Sequence, residues 1–443
     1  MAQSINVTKL IDERPIGRLQ IWVILLCAVI VFAEGFDAQA IAYVAPSISA
    51  AWALGKGALG PVLAAVLLGI MLGSLFIAPL ADRFGRRRII ILSTLAFGAL
   101  TLATSFAWDL NSLLILRLLT GLGLGGAMPN AIALTSEYCP ERRRAFLVML
   151  MFGGFSLGSA GGGFFAAYLV PHYGWHAVLL FGGTLPLVLV PILMWRLPES
   201  LQFLVNRGDD GPQVRALATR LVPDISPEAK LVTGQEASPR QSVPDLFTHG
   251  RAPITLLLWL MFFMSMLDLY LVVNWLPTVL HAQGAAMGQA AIAGSIFQLG
   301  GLVGTIVLGL LSDRFGRGRM LMVAYGFAAV CLAAVAYAQG GSLNLTIAIA
   351  GAGFGVVGGQ IAANALSAAF YPTSLRSTGV GWCLGVGRIG SVIGPVVGGI
   401  LLSMDMPPRQ LFLLSIVPMV IAAIAAAFIQ LRYRPVGRPT ISH

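Results

Sequence analysis

The residues of this chain best placed to do chemistry are few. Glu34, Asp37, Arg117, Asp268 and Arg388 are ionisable, yet each lies inside a long, predominantly apolar run. A charge near the centre of a bilayer costs roughly 2.5–3.5 kcal/mol on insertion scales, so such residues are expected to face a cavity and to pair. Glu34 and Asp37 stand three apart and share one helix face. Two carboxyls in a poorly solvated cavity do not readily ionise together. A carboxyl that takes up and releases a proton is what proton coupling requires, and Asp37, near mid-depth, is the favoured one. The other reading is a static ion pair that fastens two helices. Asp268 is either a second proton site, a partner for an arginine, or a structural polar lock. Arg388 has the planar fork that receives a carboxylate in two parallel hydrogen bonds; otherwise it pairs permanently with Asp268 or Asp37.

The elements that must position these groups follow from composition. Of 443 residues, 57% are hydrophobic and only 10% charged, against roughly 25% charged in soluble domains. Mean hydropathy is +0.84. That excess of apolar surface must face lipid. The 52 glycines suit close helix packing in a membrane. The net charge of +10 does not indicate nucleic-acid binding, because the basic residues form short clusters between apolar runs rather than one patch. Cys27, Cys139, Cys331 and Cys383 are far apart and predict reduced, packed thiols. No metal-ligand spacing, nucleophile motif or nucleotide loop is present, which argues against an enzyme and against direct ATP drive.

Twelve apolar stretches are long enough to span a bilayer: 19–45, 60–81, 89–107, 112–136, 146–170, 175–195, 253–280, 289–311, 320–338, 343–370, 378–403 and 411–431. If the N-terminus is inside, Lys56 and Arg409 are the only basic residues in outward loops. Arg117 and Arg388 lie in spans and all other Lys and Arg are cytoplasmic, as the positive-inside rule demands. Both termini are then cytoplasmic. The divisions are a leader (1–18), a six-helix bundle (19–196), a cytoplasmic linker rich in Pro, Gly and charge (197–251), a second six-helix bundle (252–431) and a tail (432–443).

The two halves repeat. Asp82-Arg83-Phe84-Gly85-Arg86-Arg87-Arg88 follows the second span and Asp313-Arg314-Phe315-Gly316-Arg317-Gly318-Arg319 the eighth, at an offset of 231. Tyr138-Cys139-Pro140 and Tyr371-Pro372 place their prolines 232 apart. Parallel repeats of six helices describe one transporter architecture, with a midplane site between the halves. The loops turn at Gly85 and Gly316. Their charges (Asp82, Arg83, Arg86, Asp313, Arg314, Arg317) are expected to pair with helix ends and with carboxylates such as Glu137 and Glu199. Pairs that break and re-form would bias two conformations; the other reading is retention of positive charge inside.

The doubled Asp-Arg-x-Gly-Arg loop resembles the signature of the major facilitator superfamily. Arg117 with the following Gly-rich run, and Leu197-Pro198-Glu199-Ser200, are similar to its other motifs. Within the superfamily, Glu34-Gly35-Phe36-Asp37 resembles the acidic first-helix motif of the aromatic acid:proton symporters, with Glu for the first Asp. Met128-Pro129-Asn130-Ala131, Asn274-Trp275-Leu276-Pro277 and Gly385-Val386-Gly387-Arg388 add to the likeness. One departure is Ala78, where the loop signature usually opens with Gly; Gly309 keeps it in the second copy.

The resemblance implies an all-α membrane protein of twelve helices in two pseudo-repeated bundles. It implies a proton-coupled importer of small aromatic carboxylates such as hydroxybenzoates, protocatechuate or hydroxyphenylpropionates, driven by the proton gradient without a cofactor or metal and working as a monomer in the inner membrane. In the superfamily the arginine matching Arg117 is linked to proton transfer; bracing of helices is the alternative. Arg388 is the expected seat of the substrate carboxylate. Gln360, Asn364, Asn274 and Tyr270 are expected to bond ring hydroxyls, and Phe36, Tyr43, Trp275 and Trp382 to pack on the ring; for each aromatic, packing or interfacial anchoring is the competing role. Rival functions are transport of another organic anion (muconate or a sugar acid), export by antiport, and a membrane receptor for aromatic acids.

Overall fold

The computed structural model describes residues 4–207, 211–221, 230–232, 243–338, 342–372 and 375–432. Among these, twelve helices are long and apolar enough to cross a membrane. In chain order they are α1 (Arg18–Ala51), α2 (Gly60–Phe76), α3 (Arg86–Thr104), α4 (Leu110–Tyr138), α5 (Glu141–Tyr173) and α6 (Trp175–Arg196). Then follow α7 (Ala252–Ala282), α8 (Met287–Phe315), α9 (Arg317–Tyr337), α10 (Leu343–Phe370), α11 (Arg376–Ser403) and α12 (Pro408–Arg432). Several outrun the apolar stretches that announce them: α1 continues to Ala51 and α5 begins at Glu141. Hydropathy measures the lipid-facing length, whereas backbone hydrogen bonding carries the helix on past it.

Glycine sets the sharpest turns. Gly85 separates a short helix, Ala81–Phe84, from α3 at φ 98°, and Gly316 separates α8 from α9 at φ 94°. A side chain is strained in that region.

Contacts divide the chain into two compact units: residues 1–52 with 65–237, and residues 53–64 with 238–443. Each unit has the same pattern of neighbours. In the first, α1 packs on α5 and α3 on α4 and α6. In the second, α7 packs on α11 and α9 on α10 and α12. The internal repeat is thus a repeat of packing. Glycine lets the backbones meet: Gly35 lies against the carbonyl of Phe155 in the first unit, and Gly390 against that of Phe263 in the second.

The leader and the segment after α6 have a fold of their own within the first unit. Strand β1 (Ser4–Asn6) pairs in parallel with β2 (Lys230–Val232), with Ile5 opposite Leu231. Asn6 caps the helix Val7–Asp12, accepting from the amides of Thr8 and Lys9. Helices Leu201–Asn206 and Pro212–Leu221 complete the layer. Val7, Ile11, Leu201, Val214, Leu217, Ala218 and Leu231 form a small apolar core. The linker composition of 197–251 therefore conceals ordered structure that buries apolar side chains against the leader. The tail beyond Arg432 lies outside the described residues. All four cysteines are buried and free.

Candidate functional site

In the first unit, α1, α3 and α4 converge on Asp37. Its side chain is completely buried, as is that of Arg117 on α4. Arg117 Nη1 donates to Asp37 Oδ1 at 3.2 Å and Nη2 to Oδ2 at 3.3 Å, so the guanidinium grips the carboxylate with both prongs. Nη2 also reaches the Asp37 backbone oxygen at 3.0 Å. Thr101 on α3 donates to Oδ1 at 2.6 Å. Two charges taken out of water are tolerated only when geometry is good and remaining hydrogen-bonding capacity is used. The two-pronged geometry meets the first condition, and Thr101 takes up further capacity of the carboxylate, while Arg117 Nε is buried without a partner. Glu34, one turn earlier, is 2% exposed.

The surrounding seam fixes α1. Ser159 on α5 donates to the carbonyl of Gly35 at 3.0 Å, and Tyr43 donates to the carbonyl of Ser159 at 2.7 Å.

At the charged end of the same unit, Arg86 donates to Glu137 at 3.2 Å and pairs with Asp82 at 2.9 Å. Glu199 accepts from the backbone amides of Arg87 at 3.1 Å and Ser200 at 2.9 Å, and its carboxylate fills the space beside Gly85. Tyr138 donates to the Glu199 carbonyl at 2.6 Å. Arg83 is exposed, its guanidinium 5.4 Å from the Phe84 ring. Asp82, Arg86 and Glu137 line a polar cavity of about 410 Å³ together with Arg144 and Gln202.

In the second copy of the loop no described residue lies within 4 Å of the place a side chain at Gly316 would take, and Arg314 is exposed, 5.5 Å from the Phe315 ring. Arg317 is exposed at the start of α9. Asp313 lies in the last turn of α8, and its side chain is outside what is described.

Within the second unit, Asp268 on α7 is fully buried and both carboxyl oxygens lack a hydrogen-bond partner. One turn earlier, Ser265 donates to Gln360 of α10 and accepts from the hydroxyl of Tyr325 of α9 at 3.2 Å. Gln360 Nε2 and Asn364 Oδ1 are buried without partners. Arg388 on α11 is half-buried, and Asp268 forms no ion pair with it. Asp37 is held by Arg117 of its own unit.

A family profile for the Major Facilitator Superfamily matches residues 27–257 and 258–442. The chain belongs to that superfamily. It falls in the branch that holds the following relatives. A 4-hydroxybenzoate transporter of Pseudomonas putida is 42% identical over 429 residues, 96% of this chain and 95% of the relative. A gallate transporter of the same species is 40% identical over 426 residues, covering 95% and 94%. A 3-(3-hydroxy-phenyl)propionate transporter of Escherichia coli is 38% identical over 383 residues, 86% of each. A solved bacterial homologue of the human lysosomal transporter Spinster, inward-facing and unoccupied, superposes with TM-score 0.72 at 19% identity, covering 95% of this chain and 100% of that one. The xylose transporter of E. coli gives 0.71 at 16%, covering 96% and 100%. The protein is thus a multi-pass membrane transporter with the superfamily fold, and not an enzyme.

The four aromatics expected to hold a substrate ring each have a ring or hydrogen-bond partner within their own unit. Phe36 is buried against Phe165 and Phe181, with centroids 6.1 and 5.4 Å away. Tyr43 is bonded to Ser159 as described. Trp275 donates to the carbonyl of Pro395 at 2.9 Å and lies against Gly398 in the α7–α11 seam. Trp382 is 43% exposed and stacks on Trp259 at 5.6 Å. Asn274 spends its amide on the carbonyl of Tyr270 one turn back, at 2.8 Å, and Tyr270 is half-buried. Three participants were not singled out from the sequence: Thr101, Ser265 and Tyr325. Their signal is a hydroxyl in the middle of an apolar helix, which serines and threonines commonly satisfy on their own backbone.

Proposed function

We propose that the protein is a proton-coupled importer of small aromatic carboxylates, such as hydroxybenzoates, protocatechuate or hydroxyphenylpropionates, working as a monomer by alternating access. The cargo rests on the relatives, which transport 4-hydroxybenzoate, gallate and 3-(3-hydroxy-phenyl)propionate by their names. The observation that carries the coupling is the buried Asp37–Arg117–Thr101 cluster. An acid held by a single guanidinium within the bilayer can exchange that partner for a proton, at the cost of leaving Arg117 to seek another anion. Glu34, one turn away, is a second acid in reach of the same exchange, and Asp268 in the other half is a further candidate for it. The charged loops at Asp82 and Asp313, with Glu137 and Glu199, are assigned to gating. Both termini face the cytoplasm, which retains nearly all loop arginines inside. The half-buried, unpaired Arg388 receives the substrate carboxylate.

Uptake of labelled 4-hydroxybenzoate and protocatechuate is measured in cells expressing the protein, with and without a protonophore. Uptake abolished by the protonophore, and by Asp37→Asn at matched expression, is the expected result. Uptake indifferent to both refutes the coupling, and no uptake of any aromatic acid refutes the cargo.

A further inference from the structure

The turn between α4 and α5 does not complete its own hydrogen bonds. A helix leaves its last carbonyls and its first amides without partners inside the helix. Here α4 ends at Tyr138 and α5 starts at Glu141, with Cys139 and Pro140 between them. Pro140 is the N-cap of α5 and has no side-chain group that could accept from the first amides. Both ends are completed from the leader and the start of α1. Gln20 Nε2 donates to the carbonyl of Tyr138 at 2.7 Å. The amide of Glu141 donates to Asp12 Oδ1 at 2.7 Å, across 129 positions. Asp12 thus does for α5 what a capping residue ordinarily does from just before the helix, and its negative charge suits a helix N-terminus. Arg144, one turn into α5, lies 4.0 Å from the same oxygen.

The leader is itself anchored, with Val7 and Ile11 in the apolar core beside Leu201, Val214 and Leu231. From the turn, the contacts run on toward the charged loop. The Tyr138 hydroxyl donates to the carbonyl of Glu199 at 2.6 Å. Glu199 Oε1 accepts from the amide of Arg87 at 3.1 Å, and the same carboxylate stands against Gly85. Ser200, next in the chain, caps Leu201–Asn206 by accepting from the amide of Phe203 at 3.1 Å. Leu201 then returns to the leader through the core. The contacts close a ring of leader, α4–α5 turn, Tyr138, Glu199 and Leu201, and the Asp82 loop is fastened to that ring at Glu199. Every member belongs to the first unit. Contiguous contacts of this kind open as a cooperative unit, so a weakened link is felt at its neighbours.

We propose that Asp12 and Gln20 are positioning residues for the Asp82 loop. By capping the α4–α5 turn they hold Tyr138, and through Tyr138 they hold the Glu199 carboxylate beside Gly85. The inference rests on the gating task assigned above to that loop and deepens it by giving the leader a part in it. Loop pairs that are no longer held in register re-form less often, which slows the transport cycle. The cargo site is left as it was.

The test uses full-length Asp12→Ala, Asp12→Asn and Gln20→Met protein. Cys139 lies in the turn, and burial pushes its thiol up to about 11, so it reacts slowly while the turn is closed. Maleimide labelling of Cys139, located by mass spectrometry, reports the turn, and deuterium uptake at the Arg87 amide reports the loop. Both are expected to rise about fivefold in Asp12→Ala, the equilibrium ratio that corresponds to one lost helix cap. Asp12→Asn supplies an equally good cap and restores protection. An Asp12→Asn variant as open as Asp12→Ala would assign the effect to charge on Arg144 and overturn the capping role. In proteoliposomes, kcat for 4-hydroxybenzoate uptake falls in Asp12→Ala and Gln20→Met at unchanged KM. A rise in KM alone would place the action at the cargo site and overturn the proposal. The Asp12 side chain is 25% exposed, so its two variants decide the matter should Gln20→Met fail to fold. Faster labelling of Cys139 with an unchanged Arg87 amide confines the leader to the turn and overturns the proposal, while the gating task stands. Both sites loosened with uptake at the wild-type rate defeats the gating task and the proposal with it. The two local readouts need no cargo, so they hold whichever acid the protein carries.

Discussion

Asp37 and Asp268 are both fully buried carboxyls in the first helix of their half, and the two halves treat them in opposite ways. Asp37 has Arg117 at both oxygens and Thr101 besides. Asp268 has nothing, although Arg388 stands on the neighbouring α11. The halves share a packing pattern, so the scaffold does not cause the difference. The chemistry has diverged on a common frame, with one acid neutralised inside the protein and the other left with capacity for something from outside.

The largest expected effect comes from breaking the satisfied side. Arg117→Ala strands Asp37 without its cation. Removing one partner of a buried pair typically costs about 3–5 kcal/mol. A purified Arg117→Ala variant should therefore lose most of its thermal stability, or fail to accumulate in the membrane. Adding Asp37→Asn should recover part of the loss, because the uncompensated charge is then gone. If Arg117→Ala proves as stable as the wild type, the pair is not the fastening described here.

Next come the two copies of the charged loop. Gly85 and Gly316 have nearly the same backbone angles, φ 98° and 94°. Placing alanine in that region costs about 1–3 kcal/mol at either site. At Gly85 the new methyl also meets the Glu199 carboxylate, whereas at Gly316 it enters open space. Gly85→Ala should lower the thermal midpoint and uptake more than Gly316→Ala. Equal effects would mean that Glu199 yields freely and that the first loop is no more tightly locked than the second.

Much of this was legible in the sequence, and the limits have physical causes. Twelve helices follow from apolar length alone, because the bilayer demands it. The buried acids and arginines follow because charge is costly there. What a linear pattern cannot convey is which cation meets which acid: Arg117 reaches Asp37 across 80 positions, while Arg388 does not bond Asp268 on the neighbouring helix. The surroundings of the aromatics are hidden for a related reason. Trp275 stands beside Asn274 in the sequence, and Gly398 on another helix makes the hollow that holds it. The small core of the leader and the segment after α6 is hidden because its apolar residues, such as Val7, Ile11 and Val214, are scattered among polar ones and meet only in the fold.

Asp268→Asn should have a smaller effect on stability than Asp37→Asn, since no ion pair is lost. Thermal midpoints of the two variants side by side decide it. A loss at Asp268 as large as that at Asp37 would show that it is already partnered, and the contrast between the halves would fail.

The smallest effect is expected at an exposed pair that sharpens the comparison by varying its surroundings. Lys56 Nζ lies 2.8 Å from Asp405 Oδ1, with side chains 72% and 84% exposed. The chemistry resembles that of Arg117 and Asp37, but water and salt screen it. The hydrogen bond and charge of Lys56 hold the Asp405 carboxyl below its ordinary value of 3.8. A depressed carboxyl contributes stability that is present above its unfolded pKa and is lost as pH falls through the folded one. The difference in thermal midpoint between wild type and Lys56→Met should thus be small at pH ~7, smaller still with added salt, and gone once acid has protonated Asp405. A large, salt-insensitive difference would place this pair with the buried one. Solvent exposure would then not be what separates a fastening charge pair from an incidental one in this fold.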